Sequence, residues 1–230
     1  MSTIQARLAS LRPSREAAVW WAVVLNTELL VLLAYLLAED PIVTQPVYYL
    51  VPFVWINAAL WAVFRVSPSP TSSRQRLAAL AVAGGYFLVL GYFGGLFAPS
   101  SGPVTGLRVV LSDIPPGWAP ALIYGGATLQ FALLPFKLVG YATLAYLVYA
   151  TVVDAGTSAV GGALGLFSCV SCSFPIIASV LSGVIGSTGA LAAAAYNQSY
   201  VLSTAVFVVT VGLLVWRPTM ADVRNIRNIW

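Results

Sequence analysis

Two cysteines, Cys169 and Cys172, are the only cysteines in the 230-residue chain, and two residues separate them. In a helix, residues three apart lie on one face, so both sulfurs would point the same way. A pair this close could form a disulfide or bind a soft metal ion such as Cu(I). Pro175 follows closely and has no N–H to donate to the Ser171 carbonyl, which predicts a kink or break in the helix. We therefore interpret the two cysteines as a working thiol pair.

The same cysteines have a simpler interpretation as small residues that help helices pack, because free cysteine behaves as a small hydrophobe. A redox pair would pass two electrons to a partner, whereas a metal site would hold Cu(I) between two thiolates. The sequence leaves these three roles open: redox, metal binding and packing.

Three further polar residues lie in apolar surroundings. Glu28 is near the middle of a predicted membrane span, where an ionised carboxylate is costly. It could face Lys137, or it could stay protonated and bond to Asn57, and a structural hydrogen bond between helices is as good an explanation as an ion pathway. Lys137 is close to a predicted span end, so we expect its amine to reach the membrane interface.

The absence of histidine excludes several kinds of site. The chain cannot form an HExxH zinc protease site, a Ser-His-Asp triad or a bis-histidine haem site. Position 173 is serine, so Cys169 and Cys172 do not form a c-type haem attachment motif. Two cysteines cannot supply the roughly four ligands of a zinc site. The eleven Lys and Arg residues form no basic stripe, which argues against nucleic acid as a partner.

The elements that must position these residues are membrane helices. The chain is 60% hydrophobic and 8% charged, whereas soluble domains are about a quarter charged. We predict an all-α, polytopic bundle forming one integral membrane domain over residues 1–230, in contact with membrane lipid. The six predicted spans are Ala17–Ala38, Val47–Phe64, Leu77–Phe97, Pro135–Val153, Gly156–Ser182 and Gln198–Trp216.

The connections between these spans carry further predictions. Residues 98–117 are expected to form an outer loop, and residues 118–134 a surface or partly inserted segment, although two full passes within Trp118–Val153 are the alternative. A glycine-rich turn over Gly183–Gly189 and a short Ala-rich segment over Ala190–Ala195 would precede the last span. Gly91-x-x-x-Gly95 and Gly161-x-x-x-Gly165 predict faces for close helix packing.

Charge sets the predicted orientation. Lys and Arg near the span ends place the arm over residues 1–16 and the tail over residues 218–230 in the cytoplasm. The protein would then be a multi-pass component of the cell membrane. With span five entering from the inside, Cys169 and Cys172 would lie about 20 Å deep, in the outer half of the bilayer.

The segment Cys-Val-Ser-Cys-Ser-Phe-Pro, from Cys169 to Pro175, resembles the thiol sites of membrane proteins of the cytochrome c biogenesis and disulfide-carrier type. That resemblance implies transfer of reducing equivalents across the bilayer. The whole chain looks most like an uncharacterised prokaryotic membrane protein family, for which the resemblance implies no established activity.

Together these features predict a membrane protein that handles thiol redox equivalents or Cu(I) in envelope or respiratory protein biogenesis. Its partner would be a thioredoxin-like or copper protein outside the cytoplasm. The alternatives are a non-catalytic scaffold or subunit bound to other membrane proteins, and a small-molecule transporter with a broken fifth span. Whether the protein is an enzyme is left open.

Overall fold

The fold combines membrane-length helices with a small sheet. A computed structural model describes residues 15–38, 47–69, 72–100, 102–111, 114–155 and 189–216. Its helices are α1 (Arg15–Ala38), α2 (Val47–Arg65), α3 (Ser73–Phe93), α4 (Pro135–Ala155) and α5 (Gly189–Trp216). In this part of the chain, α1 to α4 are each long and apolar enough to cross a membrane, and α5 contains a shorter apolar stretch, Ser203–Val215.

The predicted bounds of α1, α2 and α4 agree with the structure to within two residues, but those of α3 are wrong at both ends. α3 begins at Ser73 because Ser72 caps it, with its Oγ accepting a hydrogen bond from the Gln75 N–H at 3.4 Å. It ends at Phe93 because a C-terminal turn follows. In this turn Gly95 has a left-handed conformation with φ +77°, and the Leu96 N–H donates to the Gly91 carbonyl.

The all-α prediction is wrong for residues 97–133, which form a four-stranded antiparallel sheet in the order β1-β4-β3-β2. The strands are β1 (Phe97–Pro99), β2 (Gly106–Val110), β3 (Ala121–Gly125) and β4 (Leu129–Leu133). A tight turn joins β3 to β4, with the Gly126 N–H donating to the Leu129 carbonyl at 2.9 Å. Within Trp118–Val153, α4 alone is long and apolar enough to cross a membrane.

The last helix begins earlier than the predicted Gln198, because α5 runs without a break from Gly189 to Trp216 and includes the Ala-rich segment Ala190–Ala195. Alanine is the best helix former, and no proline interrupts this stretch. The turn expected before it lies, except for Gly189, outside the described residues.

The core forms where α4 packs on α2 and α3, and where α5 packs on α2 and α4. Trp55 is at its centre: its indole stacks on Phe207 with 4.1 Å between ring centroids, and its Nε1 donates to Thr204 Oγ1 at 3.0 Å. In contrast, no residue of α1 is buried. The helix bundle therefore has a packed centre of four helices and a peripheral first helix.

Side-chain contacts fix the helix directions. Tyr48 meets Tyr200, and seven residues later Trp55 meets Phe207, so α2 and α5 run the same way. α4 runs with them, because Phe136 near its start contacts Trp55 and Tyr146 further along donates to the Val66 carbonyl. We call the end of the bundle that carries the sheet the sheet end, and the end that carries residues 66–69 the loop end.

Candidate functional site

The predicted thiol site lies outside the described residues. Cys169, Cys172 and Pro175 fall within residues 156–188, as do Gly161 and Gly165. What the structure gives is the position of the two helices that flank this segment.

Those flanking helices meet the segment at opposite ends of the bundle. α4 finishes at the loop end, where the Asp154 Oδ1 accepts a hydrogen bond from the Ser69 N–H at 3.1 Å. α5 starts at the sheet end, because Tyr200, which packs against Tyr48 and Trp118, is already eleven residues along the helix. The described part of the chain therefore stops at the loop end after α4 and resumes at the sheet end with α5.

Glu28 and Asn57 are neighbours in the structure. The Asn57 Nδ2 donates to the Glu28 Oε2 at 2.9 Å, which joins the middle of α1 to α2. Within the part of the chain that is described, the Asn57 Oδ1 is buried and has no hydrogen-bond partner. Of the two arrangements predicted for Glu28, the structure has the contact with asparagine.

Lys137 contacts a different part of the chain, near the end of α3. Its Nζ donates to the Gly94 carbonyl at 3.1 Å and lies 6.0 Å from the centroid of the Tyr200 ring. The Gly94 carbonyl is just past the last turn of α3, where carbonyls lack an intrahelical donor. Lys137 is thus at a span end, as predicted, but it is half-buried and ties α3 to α4.

The predicted packing face Gly91-x-x-x-Gly95 does not exist as a helix face. Gly95 is past the end of α3 in a left-handed conformation. Gly91 does permit a close contact, but with the Phe97 ring on β1 and not with another helix. A Cβ added at Gly91 would overlap that ring. Gly94 similarly accommodates Tyr141 of α4. These glycines therefore serve contacts within the chain.

An aromatic cluster at the sheet end was not predicted. Trp118, in the connection before β3, packs on Tyr48, Phe136 and Tyr200, and its Nε1 donates to the Tyr48 carbonyl at 2.9 Å. Nothing in the spacing of these residues along the chain shows that they meet. The cluster fastens the sheet region to α2, α4 and α5.

The comparisons with other proteins concern the whole chain. A family of unknown function, DUF7546, matches residues 1–221. The chain belongs to this family. The prediction of an uncharacterised family is thereby confirmed, while nothing in the DUF7546 match supports the local resemblance to thiol-disulfide carriers. No curated protein and no solved structure matches the chain.

Proposed function

We propose that this protein is a six-span membrane protein whose fifth span carries a working thiol pair, Cys169 and Cys172. The observation that supports this proposal is that α4 ends at the loop end while α5 starts at the sheet end. Two helices that run the same way need a connection between opposite ends of the bundle, and a fifth span would supply it. Both termini would lie in the cytoplasm, on the side of the loop end.

The position of the cysteines in that crossing agrees with an intramembrane site. Cys169 comes 14 residues after Ala155, and Cys172 comes 17 residues before Gly189. At a helical rise, 14 residues cover about 21 Å, which is well inside a hydrocarbon core of about 30 Å.

Two chemistries suit a pair at this depth. In the redox case, one thiolate attacks a disulfide of an extracytoplasmic thioredoxin-like partner, and the second thiolate resolves the mixed disulfide. The pair then loses two electrons and two protons, and the partner disulfide becomes a dithiol. In the metal case, both thiolates ligate Cu(I), a soft ion that favours sulfur.

A second candidate, a scaffold or subunit of a membrane complex, is favoured by α1. This helix has no buried residue and exposes large apolar side chains along its length, including Trp20 at 69% and Leu37 at 80%. Such a surface could bind another membrane protein as well as lipid. The cysteines would then be packing residues.

The test is the thiol state of the intact protein. We would purify the full chain in mild detergent under argon, count free thiols before and after reductant, and titrate Cu(I). The comparison is with Cys169→Ser/Cys172→Ser, and Ser171→Ala, which keeps both thiols, is the matched control. We expect either a reversible disulfide or Cu(I) binding in the wild type and the control, lost in the double variant. Two permanently reduced thiols without copper affinity would contradict the proposal and favour the scaffold.

A further inference from the structure

The sheet has one strongly apolar face. Residues directly opposite each other on paired strands share a face, so the register gives two rows across the sheet. One row is Leu107, Tyr124, Phe131 and Phe97, and the next is Val109, Leu122 and Leu133. The opposite face is mixed: besides the apolar Ile123 and Val110 it carries small and polar residues, among them Arg108, Gly125, Gln130 and Ala132.

The apolar face packs on the bundle through the strands nearest to it. Phe97 on β1 lies against Gly91 and, with Leu133 on β4, packs on the buried core of the helices. Leu133 also comes two residues before α4 begins, so its row lies at the level where a membrane-length helix starts. The face is therefore directed toward the membrane-spanning part of the molecule.

The same face continues past the bundle on β2. Leu107 and Val109 are 61% and 56% exposed, and Leu111, just after the strand, is 70% exposed. Three strand spacings separate β2 from β1, about 14 Å, which is more than the diameter of one helix, about 10 Å. Exposed apolar residues grouped in this way mark an interaction surface.

We propose that β2 docks on the lipid surface at the sheet end, with Leu107 and Val109 entering the bilayer interface and Arg108 directed away from it. Lipid is the occupant because Val109 shares its row with Leu133, which leads directly into α4. The apolar face therefore lies beside the first turn of a helix of membrane-spanning length, and its exposed part on β2 is at the level where the bilayer surface would be. This inference rests on the membrane-spanning helices of the proposed function but not on its thiol pair.

The test measures the surroundings of single residues in the full-length protein. Spin labels are placed at Leu107→Cys, Val109→Cys and Arg108→Cys in a Cys169→Ser/Cys172→Ser background, in vesicles of phosphatidylcholine and phosphatidylglycerol. Val82→Cys, on an exposed position of α3, gives the lipid reference. We expect the ratio of oxygen to nickel-chelate accessibility to be several-fold higher at 107 and 109 than at 108.

Each other outcome overturns the proposal in a recognisable way. Equal nickel access at all three β2 positions would put the sheet in water. Low access of both reagents at 107 and 109 would mean that protein covers the face. A Val82 label without a lipid signature would refute the membrane arrangement itself, and so the proposed function as well.

Discussion

Glu28 and Asn57 form a polar contact between two apolar helices. In lipid, a polar side chain that loses its partner has no water to replace it. The donated bond from the Asn57 Nδ2 therefore stabilises the association of α1 with α2, which is otherwise held by few buried side chains.

We predict that Asn57→Leu lowers the free energy of unfolding by about 1 to 2 kcal/mol, because it leaves the Glu28 carboxyl without its donor. Glu28→Gln keeps an acceptor oxygen and is the matched control with little expected effect. Unfolding in mixed detergent would measure both.

The double variant Glu28→Leu/Asn57→Leu distinguishes the contact from the residues themselves. With both polar groups removed, it should be more stable than Asn57→Leu alone. If the costs simply add, the contact contributes nothing and the prediction is wrong.

This pairing could be suggested from the sequence because an ionisable group in an apolar span needs a partner, and few candidates exist. The hydrogen-bond partner of Lys137 could not be suggested from the sequence. Its acceptor is a backbone carbonyl made available by the end of α3, and that end depends on the turn at Gly94 and Gly95.

At the scale of the elements, the contact between α4 and α2 depends on a glycine. Gly140 lies against the Trp55 ring, and a Cβ there would overlap the ring and come within 3.3 Å of Phe207. Because Trp55 is itself stacked on Phe207 and hydrogen-bonded to Thr204, it has little freedom to move away.

We predict that Gly140→Ala destabilises the protein by about 1 to 3 kcal/mol, the usual cost of overpacking a core. Gly84→Ala, at an exposed α3 position with no atom within 4 Å of the added Cβ, should be neutral or slightly stabilising. Thermal unfolding in detergent compares them. Equal midpoints for the two variants would show that the α2–α4 contact is loose.

The four-stranded sheet is the element that could not be predicted from the sequence. β1, β3 and β4 are short and mostly apolar, so their composition is equally typical of a helix end or of an inserted segment. The alternation around Arg108 in β2 and around Gln130 in β4 is typical of strands, but two such short segments do not specify a pairing. The helices of membrane-spanning length were easier to predict, because a long uninterrupted apolar run is a strong signal for such a helix.

At the scale of the whole molecule, the loop end and the sheet end should lie on opposite sides of the membrane. Ser67 marks the first and Thr128, at the tip of the β3–β4 turn, marks the second, and both are exposed. Arg65, Arg74 and Arg76 belong to the loop end, and from them the charge rule predicts that this end faces the cytoplasm.

We predict that a membrane-impermeant maleimide labels Thr128→Cys in intact cells but labels Ser67→Cys only after permeabilisation, in the Cys169→Ser/Cys172→Ser background. A tag at the C-terminus should behave like Ser67. Labelling of both positions from one side would contradict the arrangement of spans.

The shared direction of α2, α4 and α5 also has an electrical consequence. Each helix carries a macrodipole equivalent to roughly half an elementary charge, negative at its C-terminus. Of the five helices described, three end at the loop end and two, α1 and α3, begin there. Their dipoles do not cancel, so the backbone makes the loop end more negative, and Arg65 in the last turn of α2 offsets that field.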